Sequence, residues 1–96
     1  MQRLRFEMRS SFPLGEMVIT QGAMSELTQA DVLKAFVRHT RGDWGDLCDE
    51  DKQENAFSLQ HGFRLLSRYH ADNGTAFYVI TEHDRSKTTV LLTTEY

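Results

Sequence analysis

The densest set of reactive side chains in this chain is the run Thr81-Glu82-His83-Asp84-Arg85-Ser86. It puts carboxylates, an imidazole, a guanidinium and hydroxyls within six residues. A guanidinium at this place can fork onto a phosphate or a carboxylate, and His83 with Glu82 is a pair suited to moving protons. The run also reads as an ordinary turn. Asp84 and Ser86 bond readily to their own backbone, and Arg85 has Glu82 and Asp84 beside it as ion-pair partners. A second set gathers around Gly42-Asp43-Trp44-Gly45-Asp46. Trp44 between two glycines is either a core plug or a binding platform. His39, just before it, is either a structural histidine at a helix end or a hydrogen-bond donor to a local carbonyl. Arg64 and Arg68 share one strand face and extend, with Arg85, to a local basic strip. The candidate binding surface is therefore His39, Asp43, Trp44, Arg64, Arg68, Glu82, Asp84 and Arg85, with no catalytic residue assigned.

Other chemistries fail on spacing. The acids Asp43, Asp46, Asp49, Glu50 and Asp51 lack the glycine and the terminal glutamate of a calcium loop, and the last three are explained by opening a helix. His39, His61, His70 and His83 have no metal-ligand spacing, and Cys48 has no second thiol. Acids around Cys48 oppose a thiolate. No glycine-rich phosphate loop follows a strand, so no cofactor and no metal are expected.

The elements that must position these groups are legible in part. Thr28 with Asp31 three residues on is a variant capping box, and Leu27 and Val32 are placed for a hydrophobic staple. Val32, Leu33, Phe36 and Val37 repeat at helical spacing. Gly42 follows Arg38, His39 and Arg41 as a terminator, so a helix is expected over 29–40. Asp49, Glu50 and Asp51 open a second helix with a weak apolar face (Leu47, Ala56, Phe57, Leu59), ended by Gly62 and expected on the surface. From Phe63 the period changes to two. Phe63, Leu65 and Tyr69 share one face; Arg64, Leu66, Arg68 and His70 share the other. Asn73-Gly74 is a strong hairpin signal. A central strand follows over Ala76–Glu82, then a turn at Asp84–Ser86 and a last strand over Thr88–Thr94. Upstream, Glu16–Thr20 is a short β-prone run broken by Gly22, with at most a helical turn over Ala23–Leu27. The expectation is an α+β fold: a short N-terminal strand, two helices and a three-stranded antiparallel meander (β-α-α-β-β-β). Residues 1–13, arginine-rich and closed by Pro13, read as an arm that is either loose or an edge strand. Residues 14–96 form the single domain.

Composition bounds the function. With 40% hydrophobic and 26% charged residues the chain belongs to the globular class. One cysteine forbids an internal disulfide and fits a reducing, cytoplasmic setting. No apolar run approaches the roughly 18 residues of a membrane span, and no apolar stretch follows the N-terminal arginines as a signal peptide requires. The net charge of −3 is uneven: +2 over residues 1–13 and −5 over residues 42–57. Such a chain has no general attraction for nucleic acid.

Several of these motifs coincide. L-G-E-M-V-I-T with G-A (14–20, 22–23), H-T-R-G-D-W-G-D-L (39–47), D-E-D-K-Q-E-N (49–55), G-F-R-L-L-S-R-Y (62–69) and V-I-T-E-H-D-R-S-K-T-T-V-L-L-T-T-E-Y (79–96) together resemble a family of small bacterial proteins of plasmids, phages and integrated elements. That family is labelled "plasmid-related protein" or associated with type I restriction–modification. The resemblance covers about residues 14–96. It implies an accessory protein of a mobile element and singles out His39, Asp43, Trp44, Arg64, Glu82, Asp84 and Arg85. The chain departs from the family pattern at His83, where a small residue is usual, which argues against His83 as a shared catalytic group. Three functions compete. The first is a non-enzymatic module with a protein partner, which requires an exposed apolar or aromatic patch. The second, by analogy with the fold of small ribonuclease toxins, is RNA binding or cleavage through Arg64, Arg68, His70 and Arg85. The third is a homodimer built by edge-strand pairing. Two turns, G-D-W-G and E-H-D-R-S, hold most of the candidate residues and are expected to meet in space.

Overall fold

The computed structural model describes residues 12–96. The elements are β1 (Glu16–Ile19), α1 (Gln21–Glu26), α2 (Gln29–Thr40), α3 (Asp49–His61), β2 (Leu65–His70), β3 (Ala76–Thr81), β4 (Lys87–Leu92) and a closing 3-10 turn over Thr93–Glu95. The broad α+β expectation holds. Two finer parts of it do not. Among the described residues there are three helices, and the antiparallel meander β2–β3–β4 is only part of a four-stranded mixed sheet of order β1-β4-β3-β2. β1 joins it parallel to β4, Glu16 beside Lys87 and Ile19 beside Val90. A hairpin announces itself by its turn. A parallel partner some seventy residues away leaves no local mark.

α2 occupies its expected span because both ends are closed. Thr28 Oγ1 accepts the Asp31 N–H at 3.0 Å, and the Asp31 carboxylate accepts the Thr28 N–H at 3.0 Å. These bonds hold the Asp31 carboxyl below the usual carboxylate range. At the other end the Gly42 N–H reaches His39 O and the Asp43 N–H reaches Arg38 O. This is the Schellman arrangement, with Gly42 at φ 76°. α1 exists despite Gly22 because Thr20 caps it, accepting the Ala23 N–H. Gly22 packs so closely on the Glu95 carboxylate that a Cβ there would lie 2.6 Å from Oε2. β4 ends at Leu92, two residues before the expected Thr94, because the Glu95 carboxylate turns back to accept from the Leu92 N–H and from Thr20.

α2 lies against one face of the sheet. Val32, Ala35 and Phe36 join Tyr69, Phe77, Val79 and Val90 in the main core, with Leu27 of the staple among them. The larger of these, Val, Leu and Phe, each contribute roughly 1.5–3 kcal/mol of burial. A second, smaller cluster holds Phe12, Trp44 and Leu65. Among the described residues the packing includes Phe12, inside the segment read as an arm; the rest of that segment, residues 1–11, lies outside the described residues. α3 is a surface helix, as its weak apolar face implies, burying only Asn55 and Ser58.

Candidate functional site

The two turns meet, and what joins them is Phe12. Its ring stacks on Trp44 at 6.3 Å between centroids, meets the His39 ring edge-on at 5.2 Å, and lies under the Arg85 guanidinium at 5.8 Å. The meeting place is an interior. Trp44 is 9% exposed and His39 fully buried. Nothing in the local sequence Ser11-Phe12-Pro13 marked Phe12 for this role.

His39 is held by a directed chain of hydrogen bonds. The Thr88 hydroxyl donates its one proton to Leu14 O at 2.7 Å. Thr81, 2.7 Å from the Thr88 hydroxyl, must therefore donate to it. Its lone pair then accepts from His39 Nε2–H at 2.9 Å, so the bare Nδ1 of the neutral ring accepts from the Ser67 hydroxyl at 2.6 Å. One imidazole thus ties α2 to β2, β3, β4 and the segment before β1. Burial first, and the Arg85 charge second, push its pKa down from 6.5 to about 4. A folded-state value below the unfolded one means that the contribution is complete above pH 6.5. It is lost as pH falls from 6.5 towards 4, to the extent of about 3 kcal/mol. Urea unfolding of the native chain is expected to weaken across that window, before the carboxylates Asp31, Asp43 and Glu95 protonate, and His39→Gln is expected to flatten the slope between pH 6 and 5. An unchanged slope in that variant would assign the acid sensitivity elsewhere.

Arg85 is a structural clamp. It sits at φ 60°, unusual for a side chain with a Cβ. Its Nη1 donates to Phe63 O at 2.6 Å, Glu82 O at 3.1 Å and His83 O at 3.3 Å, and its Nη2 to Ser58 O at 3.2 Å. It binds carbonyls, one of them in the last turn of α3, where a cation is favoured, and bonds neither the Glu82 nor the Asp84 carboxylate. The other candidates disperse. The Asp43 carboxylate takes a fork from Arg38 at 2.7 and 3.2 Å, which is the main cause of its lowered pKa. Arg38 in turn lies 4.6 Å over the Tyr69 ring. Arg64 donates to the Tyr96 hydroxyl at 2.6 Å. Asp84 is exposed and accepts the Ser86 N–H, with its carboxyl lowered chiefly by Ser86. His70 pairs with Asp46. Arg68 is fixed through its backbone, its N–H on Trp44 O and its carbonyl on the Asp46 N–H.

That last contact has a second effect. It seals the outer edge of β2, helped by Asn55, whose side chain accepts the Leu66 N–H and donates to Leu66 O. At the opposite edge, β1 is open among the described residues. Beside it runs a groove of about 580 Å³ between β1, α1 and α2, lined by Met17, Met24, Leu27, Val32, Leu33 and Phe36 among others, with no ionisable side chain in the lining. Met17, Met24 and Leu33 are 59, 67 and 65% exposed. The chain matches no protein-family model, no curated protein and no solved structure. Among the described residues no three His, Cys, Asp or Glu side chains converge as a metal site requires, and no helix is long and apolar enough to cross a membrane.

The groove has no local signature in the sequence. Leu33 belongs to the apolar stripe of α2, where Val32 and Phe36 fill the core and Leu33 looks outward. Met17 sits within a short β-prone run. The one trace is that the stripe is one residue too wide for the core it serves.

Proposed function

We propose that this chain is a non-enzymatic protein-binding module whose contact surface is the groove between β1, α1 and α2. The single observation that carries this is the groove itself: an uncharged hollow with three large apolar side chains left exposed on its walls. Exposed apolar surface gathered around a concavity marks a docking site. The polar residues that looked like a site are occupied internally, Arg85 by carbonyls and His39 by hydroxyls. The resemblance to plasmid-related proteins supports a role as a cytoplasmic accessory protein of a mobile element, linked to restriction–modification. The nucleic-acid reading draws less on this surface, since Arg64, His70 and Arg85 each have a partner within the fold, and of its four residues only the Arg68 side chain has none among the described residues.

The test is affinity capture of the tagged protein from a lysate of cells that carry it, with and without nuclease, and identification of what binds. Wild type and Arg64→Ala are expected to retain the same discrete protein. Leu33→Asp is expected to weaken its retention roughly tenfold or more, since one lost apolar contact is worth at least 1.4 kcal/mol. Capture that vanishes with nuclease, or that ignores Leu33→Asp, would refute the reading.

A further inference from the structure

We infer that the groove and the open edge of β1 receive a second copy of this chain, β1 pairing antiparallel with its symmetry mate about Val18. This names the partner for the binding surface proposed above and rests on that reading. Half of the backbone groups of β1 are already spent on β4. Glu16 N–H goes to Ser86 O and Thr20 N–H to Val90 O. In a parallel ladder the groups of residues 16, 18 and 20 therefore face β4, and those of Met17 and Ile19 face outward. Two outward N–H and C=O pairs on a strand are complemented by another strand, which decides against a helix or a small molecule as occupant. The other edge of the sheet is closed by Asn55 and by the Trp44–Asp46 turn, so among the described residues one edge is protected and this one is open.

The sequence of β1 fits itself. An antiparallel register centred on Val18 puts Met17 opposite the mate's Ile19 as a hydrogen-bonded pair, twice over, and uses every outward group of the strand. Glu16 falls opposite the mate's Thr20, so no like charges face each other. Met17 and Ile19 share the groove side, because their partners Thr88 and Val90 are buried in the core face. The seam therefore brings apolar side chains of each copy into the hollow of the other, with Leu33 and Met24 above it. A chain of net charge −3 pays for self-association by repulsion, and an uncharged lining is where it pays least.

Sedimentation equilibrium of the full chain is expected to give twice 11.1 kDa, and Leu33→Asp, a change at an exposed position, is expected to halve that mass with the circular dichroism unchanged. Register is read by cross-linking on a Cys48→Ser background. Val18→Cys faces itself across a non-hydrogen-bonded pair, about 4.5 Å between Cα atoms, and is expected to form an intermolecular disulfide under mild oxidation. Glu16→Cys, opposite Thr20, is expected not to. A monomer at every concentration overturns the proposal, as does a dimer that cross-links equally at 16 and 18 or ignores Leu33→Asp. A monomer that still captures a foreign protein through Leu33 would overturn the self-pairing alone and leave the groove as a binding surface.

Discussion

His39→Ala is expected to destabilise the fold by about 3–5 kcal/mol, the range for emptying a large, fully buried site. The cost has two parts. The first is the cavity left among Phe12, Trp44 and the strands. The second is the Ser67 hydroxyl, fully buried, whose acceptor is the imidazole at 2.6 Å. A buried donor stripped of its partner costs about 1–3 kcal/mol. The parts separate in a second variant. His39→Phe refills the volume but still orphans Ser67, so it is expected to cost less than His39→Ala, and adding Ser67→Ala is expected to recover part of the remainder. The measurement is urea unfolding followed by circular dichroism. If His39→Ala unfolds within 1 kcal/mol of the native chain, or if Ser67→Ala brings no recovery in the His39→Phe background, the hydrogen-bond chain from Ser67 to Leu14 O is not what holds these strands together.

How much of this was legible beforehand depends on whether the cause was local. Thr28, Asp31 and Gly42 act within a turn of one another, so α2 was readable to the residue. Asn73-Gly74 and the change to a period of two gave the meander. Asp49–Asp51 and Gly62 gave α3. What failed was whatever depends on distant partners. β1 was legible as a short strand, but its parallel place beside β4, its one sheet partner among the described residues, was not. Asn55, in the middle of a polar helix, gives no hint that it caps the edge of β2. Arg85 looked like half of an ion pair because carboxylates flank it in sequence, whereas the turn at φ 60° swings its guanidinium onto carbonyls of α3 and the following loop. Of the candidate residues His39 and Trp44 are buried, whereas Asp43, Arg64 and Asp84 are exposed. His39, Trp44 and Arg85 do come together around Phe12, with His39 and Trp44 on the inside and Arg85 half-buried beside them. The same property that makes a residue look functional, a polar or aromatic group in an apolar neighbourhood, also makes it a good fastener for a thin core.

Trp44→Ala is expected to be comparably severe, about 3–5 kcal/mol, and its cost is expected to depend on Phe12. The indole roofs the smaller cluster with Leu65, and its stacking on Phe12 is the link between the G-D-W-G turn and the segment leading into β1. Such aromatic pairs are worth about 0.5–1.5 kcal/mol beyond their burial. In a double-mutant cycle, Phe12→Ala and Trp44→Ala should therefore cost less together than the sum of the two by about that amount. The backbone adds a second consequence. Trp44 O accepts the Arg68 N–H, and Gly45, at φ 75°, passes so close to Arg68 O that a Cβ would overlap it. Loosening the indole therefore also loosens the seal on the edge of β2, and hydrogen exchange at the Arg68 amide is expected to accelerate in Trp44→Ala more than at the Val79 amide in the central strand. Equal acceleration at both amides would mean that the variant unfolds globally and that the turn does not guard the edge. Selective acceleration at Arg68 would make Trp44 both core plug and edge guard, which leaves β1, among the described residues, as the open edge through which this sheet can meet another strand.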